Sequence, residues 1–125
     1  MSRQLTADIV TELKRATPDL TVHCHDLAAQ PLPHWTPVAD ASDPAVVPGN
    51  QMLEEFLAAD GVAIGAPMHN FAISSQPKSW LDRILVAGKT FRYTASGPAG
   101  LAGGKRVIVA SSRAGFYGKD TPAAT

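Results

Sequence analysis

Gly61-Val62-Ala63-Ile64-Gly65-Ala66-Pro67-Met68-His69-Asn70-Phe71-Ala72-Ile73-Ser74-Ser75-Gln76-Pro77 is the stretch that decides the fold. It opens as an apolar run without polar alternation, which is typical of a strand covered on both faces in a parallel sheet. The run stops at Pro67, and Ser74, Ser75 and Pro77 predict a helix start, because hydroxyl caps and early prolines favour helix N-termini. The stretch therefore predicts strand, loop and helix. Residues 68–71 fall at the carboxyl end of the strand, where open α/β sheets bind ligands.

The composition predicts one soluble domain spanning residues 1–125. The formal net charge is +0 and Lys and Arg form no long run, which argues against nucleic acid or an anionic membrane as a partner. The single cysteine, Cys24, excludes an internal disulfide and fits a reducing compartment. No signal-peptide pattern and no long apolar run occurs. We therefore expect a cytoplasmic protein.

The remaining segments predict an alternation of helices and strands. Residues 20–27 alternate strictly between apolar and polar, which predicts an edge strand with Cys24 on its apolar face. Five prolines in residues 28–50 predict a surface excursion. Helices are predicted over residues 3–16, 52–59 and 77–87, the last with Gly88 as its C-cap, a loop over residues 89–98, and a second buried strand over residues 105–110. This order indicates an α/β protein with a parallel sheet.

Two of the predicted strands end in polar loops, residues 68–71 and 111–115, and adjacent parallel strands would place both loops at one edge of the sheet. There the Asn70 amide, the Ser112 hydroxyl and backbone N–H groups could bind a flat heteroaromatic ligand, with Phe71 and Met68 packing on its apolar part. The alternative is that both loops are ordinary strand-to-helix turns. Neither loop has a glycine-rich phosphate-binding pattern, which argues against a nucleoside triphosphate or a Rossmann-bound dinucleotide.

No set of side chains predicts a catalytic centre or a metal site. His23 and His25 would share one strand face and could chelate a metal, but a solvated strand face is the simpler interpretation. His69 could act as a general acid or simply as a hydrogen-bonding residue of a turn. No Ser-His-Asp set and no paired carboxylates occur.

Several separated motifs resemble those of the FMN-dependent NADH-azoreductases of bacteria. They include Ala66-Pro67-Met68-His69-Asn70-Phe71-Ala72-Ile73-Ser74, Phe91-Arg92-Tyr93-Thr94, Gly97-Pro98-Ala99-Gly100-Leu101, Ser112-Arg113-Ala114-Gly115 and Asp26-Leu27-Ala28-Ala29-Gln30-Pro31-Leu32-Pro33. The resemblance covers nearly the whole chain, in order and with matching spacing.

The resemblance implies a flavodoxin-like parallel sheet with helices on both faces, which binds FMN and forms a homodimer. It implies an enzyme in which NADH (or NADPH) reduces the flavin by hydride transfer and the flavin then reduces a quinone or an azo compound in a ping-pong cycle. Such an enzyme needs no catalytic side chain of its own, since the flavin performs the redox chemistry.

The same resemblance implies roles for individual residues. Met68, His69, Asn70 and Phe71 would line the isoalloxazine ring. Ser2 would lie at the end of a phosphate loop, where a helix N-terminus favours a phosphate dianion. Tyr93 would lie on the substrate side or at the dimer contact. The isoalloxazine would also be contacted from the next strand by Ser112, Arg113, Ala114 and Gly115.

Departures from the family pattern lead to further expectations. His69 replaces the usual tyrosine and Ala114 the usual glycine. The first and last strands of the family are missing, so the chain would form a partial flavodoxin-like domain in which the strands at Thr21 and Val62 lie about 10 Å apart. We expect the chain alone to bind FMN weakly or not at all. The alternatives to an enzyme are a flavodoxin-like electron carrier and an inactive truncated fragment, and the loop over residues 91–101 favours the enzyme.

Overall fold

The computed structural model describes residues 1–37 and 43–115. Three helices occur there, α1 (Ser2–Ala16), α2 (Val47–Ala58) and α3 (Ser75–Ile84), and a 3-10 turn (Pro44–Val46) precedes α2. The five strands are β1 (Gly61–His69), β2 (Ala72–Ile73), β3 (Phe91–Thr94), β4 (Gly97–Gly100) and β5 (Arg106–Ser112). None of these helices is long and apolar enough to cross a membrane.

Strand β1 is the middle strand of the main sheet, whose order is β2-β1-β5. It pairs in parallel with β5, from Gly61 opposite Arg106 to Pro67 opposite Ser112, and its last two residues pair antiparallel with β2. The parallel pairing confirms the α/β class, because two apolar strands joined by a helical crossover favour this arrangement.

Helix α1 packs on one face of β1 and β5. Its first turn approaches β1 so closely that a Cβ atom on Gly65 would lie 2.8 Å from Thr6 Oγ1 and 3.5 Å from the Ser2 carbonyl oxygen. Ala110 of β5, the register partner of Gly65, is buried on the same face. Glycine at position 65 is therefore required for this helix–sheet contact.

Helices α2 and α3 pack against each other. The rings of Phe56 and Trp80 meet edge to face with centroids 6.0 Å apart. Buried Arg83 of α3 donates from Nη2 to the Pro33 and His34 carbonyl oxygens at 3.0 and 3.2 Å. Arg83 thus holds the proline-rich segment against the helices, because hydrogen bonds from a buried guanidinium are strong.

Strands β3 and β4 form a separate two-stranded sheet. Buried Thr90 fastens its base to the end of α3, since its Oγ1 donates to the Ile84 carbonyl oxygen at 2.7 Å and accepts from the Val86 N–H at 3.0 Å. The prediction of a loop over residues 89–98 was therefore wrong. The Phe-Arg-Tyr-Thr run of β3 has high strand propensity. Its partner strand, β4, consists of residues such as Gly97 and Pro98 that are typical of turns.

The prediction of a strand over residues 20–27 was also wrong. These residues have no sheet partner within the described chain, and Cys24 is exposed rather than packed in the core. Alternating polarity alone does not make a strand, because the backbone groups need a neighbouring strand to pair with. The spacing of about 10 Å between residues 20–27 and β1 stays a prediction. Side chains hold the segment instead, through the Arg3–Asp26 and His25–Glu55 ion pairs.

The predicted helices and the second strand are confirmed as elements, with changes at their ends. The second strand, β5, is not buried as predicted, since Val107 and Val109 are exposed. Helix α2 begins five residues earlier than expected, since Pro48 lies in its first turn, where proline is tolerated. Helix α3 ends at Ile84 and its C-cap is Leu85, not Gly88. Gly88 has a φ of +83° and lies instead in the turn that leads to β3. The predicted tail beyond Gly115 lies outside the described residues.

Candidate functional site

The carboxyl end of β1 is a tight hairpin, where a loop leading to a helix was predicted. His69 pairs with Ala72, so only Asn70 and Phe71 form the turn, and both have positive φ, 50° and 63°. Two consecutive positive φ values are those of the type I′ hairpin turn. Asparagine adopts this region readily, whereas phenylalanine does so at a cost of roughly 1–3 kcal/mol. The hairpin therefore holds Phe71, a residue with a large side chain, in a backbone conformation that phenylalanine disfavours.

An open cavity of about 250 Å³ lies beside this hairpin. It is bounded by the end of β1, the turn, β2 and the end of β5, and its lining residues are Ala66, Pro67, Met68, Phe71, Ala72, Ile73, Val109 and Ser111. None of these side chains is ionisable and only Ser111 is polar. The cavity is suited to a flat, largely apolar group.

The structure brings together some of the predicted ring-binding residues. Met68 and Phe71 line the cavity, whereas His69 and Asn70 are exposed and are not among the lining residues. The Asn70 side chain makes no hydrogen bond to any residue the structure describes, so its amide is available to a ligand.

From β5, Val109 and Ser111 line the cavity, and the predicted Ser112 is not among the lining residues. Ser111 shares a strand face with Val109, and both line the cavity, while Ser112 shares the opposite face with buried Ala110. Side chains alternate along a strand, so a shift of one residue changes the face. Arg113, Ala114 and Gly115 follow β5 and are not among the lining residues, so their predicted contacts remain untested.

Ser2 is the first residue of α1, and its carbonyl oxygen accepts a hydrogen bond from Thr6 Oγ1 at 2.7 Å. The helix carries no side-chain cap and no acidic residue in its first turn. Its N-terminus lies against Gly65, one residue before the cavity-lining Ala66. An uncapped helix N-terminus favours an anion, so this part of the prediction is compatible with the geometry but not tested by it.

Tyr93 is not among the cavity-lining residues. It lies on the β3–β4 hairpin, which follows α3, whereas β2 precedes α3. Its side chain is 76% exposed and meets the Phe91 ring edge to face at 5.3 Å. This hairpin therefore presents an aromatic surface that nothing in the described chain covers.

Reasoning from sequence missed Ile73, Ala72 and Val109 as parts of the site. The missed signal was the two-residue turn between Met68-His69 and Ala72-Ile73, since a short turn between apolar residues indicates a hairpin. No group of three or more His, Cys, Asp or Glu side chains that could hold a metal occurs within residues 1–37 and 43–115.

The parallel sheet, its helices and a cavity at the carboxyl ends of β1 and β5 are features of doubly wound α/β proteins. The whole chain, residues 1–125, matches the family described as having a flavodoxin-like fold. The chain belongs to this family.

Two individual relatives are similar to this chain over nearly its whole length. The chain is 53% identical over 134 residues to the FMN-dependent NADH:quinone oxidoreductase 2 of Bradyrhizobium diazoefficiens, covering 99% of this chain and 66% of that protein. It is 54% identical to the FMN-dependent NADH:quinone oxidoreductase of Gluconacetobacter diazotrophicus, covering 100% and 67%. The chain thus spans about two thirds of the length of these relatives.

Solved structures agree with the membership of the chain in the flavodoxin-like family. The crystal structure of an azoreductase from Bacillus anthracis superposes with a TM-score of 0.85 at 31% identity, over 98% of this chain and 65% of that one. A Bacillus anthracis FMN-dependent NADH-azoreductase in complex with FMN matches 59% of this chain, at a TM-score of 0.55 and 36% identity.

Proposed function

We propose that this chain is part of an FMN-dependent NADH oxidoreductase that reduces quinones or azo compounds. The observation that carries the proposal is the apolar cavity at the Met68–Phe71 hairpin, in a chain more than half identical to enzymes named for this activity. NADPH as an alternative donor is part of the same proposal.

The residues present fit the ring of FMN. The cavity walls are apolar, as the dimethylbenzene side of the ring requires, and the exposed Asn70 amide can pair with the polar side. The positive end of α1, at Ser2, suits the phosphate. We propose Arg113, Ala114 and Gly115 as further contacts to the ring, since they continue from β5 at the same edge of the sheet.

FMN, when bound, supplies the redox chemistry by accepting a hydride from NADH and passing two electrons to the acceptor. The chain binds and orients the ring. Met68, Phe71 and Val109 would pack on it and keep water from one side, and no lining side chain offers an acid or a base. No catalytic side chain is therefore proposed among the lining residues.

Assembly as a homodimer in the cytoplasm is part of the proposal. The uncovered aromatic surface at Tyr93 supports a contact with a second copy, since exposed aromatic residues are enriched at interfaces. The free, exposed Cys24 fits a reducing compartment. The net charge of +0 gives no support for a nucleic acid or a membrane surface as partner.

Paired substitutions on one strand face test the cavity as the flavin site. Val109 and Val107 lie on the same face of β5 and are 56% and 52% exposed, but only Val109 lines the cavity. We expect Val109→Asp to weaken FMN binding about tenfold or more, because it places a charge against the apolar ring. Val107→Asp has the same cost in strand propensity and is expected to change binding less than about twofold. The measurement is a titration of FMN fluorescence extended to millimolar protein.

Adding NADH and a quinone separates the enzyme from other flavoproteins. Bleaching of the flavin by NADH, followed by recovery on adding the quinone, supports the oxidoreductase. Reduction without recovery would indicate an electron carrier. Equal loss of FMN binding in the two aspartate variants would exclude this cavity as the site.

A further inference from the structure

The turn of the β1–β2 hairpin carries a phenylalanine where hairpins of this type favour glycine. His69 pairs with Ala72, and the two residues between them, Asn70 and Phe71, have φ values of 50° and 63°. Asn-Gly is the strongly preferred pair in a type I′ turn, because both central residues need positive φ. Asn70 suits this conformation, whereas a bulky side chain is disfavoured in it. Phe71 is therefore the residue of the turn that does not suit its backbone.

Burial of the ring recovers only part of this cost. The Phe71 side chain is 69% exposed, although an aromatic ring stabilises a fold mainly through the area that it removes from water. Within residues 1–37 and 43–115, Asn70 and Phe71 are the non-glycine residues with positive φ. The disfavoured backbone of the described chain is thus concentrated in the turn beside the cavity, and such conformations are typical of functional sites.

The ring of Phe71 forms part of the cavity wall and differs from the rest of it. The other lining side chains are aliphatic residues, a proline, a thioether and the Ser111 hydroxyl, so Phe71 supplies the aromatic ring among the lining residues. A flat ring gains more by stacking on an aromatic face than by contact with aliphatic groups. Glycine at position 71 would suit the turn but would remove this stacking surface.

We propose that Phe71 is a ring-stacking residue, which the hairpin holds at the cavity in a conformation that lowers the stability of the chain. The inference rests on the proposed function, with the ring of FMN as the ligand. Because the two-residue turn fixes the backbone of Phe71 before the ligand binds, less has to be ordered on binding. Stability of the chain and affinity for FMN should therefore change in opposite directions when the aromatic ring is removed from this turn.

Substitutions at position 71 separate the backbone from the ring. Phe71→Gly and Phe71→Asn suit positive φ and lack the ring. We expect each to lower the equilibrium constant of unfolding about three- to tenfold, since the turn is relieved, and to weaken FMN binding about fivefold or more, since stacking is lost. Phe71→Tyr keeps the ring and the disfavoured backbone, so both quantities should stay within about twofold of the unaltered chain. Urea unfolding without FMN and a titration of FMN fluorescence give the two values.

Ser96→Gly is the matched control, because Ser96 lies in the turn of the β3–β4 hairpin and has no positive φ. Glycine there relieves nothing and increases the freedom of the unfolded chain, so this variant should gain no stability and should keep its affinity for FMN. Unchanged or lower stability of both Phe71→Gly and Phe71→Asn, or unchanged FMN affinity in both, would overturn the inference. Failure of the unaltered chain to bind FMN would contradict the proposed function, and this inference with it.

Discussion

At the scale of single residues, the close contact with α1 restricts position 65 of β1 to glycine. A Cβ atom there would lie 2.8 Å from Thr6 Oγ1, whose hydroxyl is held by the Ser2 carbonyl oxygen. The helix can give way only by losing that hydrogen bond or by moving off the sheet. The first turn of α1 and the start of the cavity are thus coupled through one glycine.

We expect Gly65→Ala to lower the free energy of unfolding by about 1–3 kcal/mol, as for overpacked contacts in other proteins. Urea unfolding followed by circular dichroism measures it. Gly103→Ala is the control, because a Cβ atom there meets nothing within 4 Å, and such surface changes stay within about 0.5 kcal/mol. Equal stability of the two variants would show that α1 does not approach β1 this closely.

Asp26 ties the end of the unpaired segment to α1. The N–H of Ala29 is the main cause that lowers the pKa of Asp26 below its ordinary value of 3.8, and the Ala28 N–H and Arg3 add to it. Partial desolvation opposes the shift. A carboxyl whose pKa is lowered on folding stabilises the protein above the unfolded value and loses this contribution as pH falls through the folded value.

Asp26→Asn should therefore lower the unfolding temperature near neutral pH, and the difference from the unaltered chain should shrink below about pH 4. Thermal unfolding between neutral and strongly acidic pH measures the difference. Arg3→Met should reproduce only part of the effect, since both N–H donors remain. A difference that grows as the pH falls would contradict the assignment.

At the scale of elements, helices and strands form here where the backbone groups at their ends and edges have hydrogen-bond partners. Helix α2 ends with its carbonyl groups bonded by a lysine from outside the helix. Lys105 Nζ donates to the Leu57 and Ala59 carbonyl oxygens at 2.8 and 2.6 Å and lies 5.5 Å from the centre of the Phe56 ring. This single side chain joins α2 to the start of β5.

Lys105→Met keeps the length of the side chain but removes its charge and its donors. We expect it to lower the free energy of unfolding by about 1–2 kcal/mol, the usual range for charged hydrogen bonds at a helix C-terminus. Chemical denaturation gives the value. Lys89→Met, an exposed lysine in the turn before β3, is the matched control with an expected change near zero. If both variants lose the same stability, Lys105 does not cap α2.

The helices and strands also show where the pattern of apolar and polar residues predicts secondary structure correctly. Residues 61–66 and 106–110 form strands as predicted, since each run pairs with the other. The prediction that both strands are buried on both faces was wrong, because Val107 and Val109 on one face of β5 are exposed. Residues 20–27 have a clear strand pattern and form none, because a strand depends on a partner that pattern does not reveal. The turn-forming residues within 91–100 predict a loop, but the segment forms a hairpin, since each half provides the pairing that the other needs.

At the scale of the whole molecule, the cavity exists because β1, β2 and β5 end at the same edge. Two of the predicted ring-binding residues, Met68 and Phe71, lie in its wall, and Ser111 lies there in place of Ser112. The cavity is open, and α1 covers the opposite face of the sheet. The arrangement presents an apolar surface at the edge of the sheet, on the face that α1 does not cover.

The sequence by itself determined the class of fold, the two central strands, the helices and the loops that carry the site, because apolar periodicity and turn residues act locally. Its motifs also indicated the family to which the chain belongs. Only the tertiary structure decided that the turn after β1 is a hairpin with Phe71 at positive φ, and that Ser111 faces the cavity. These features depend on the register between strands distant in sequence, and a shift of one residue would exchange the side chains of the two faces.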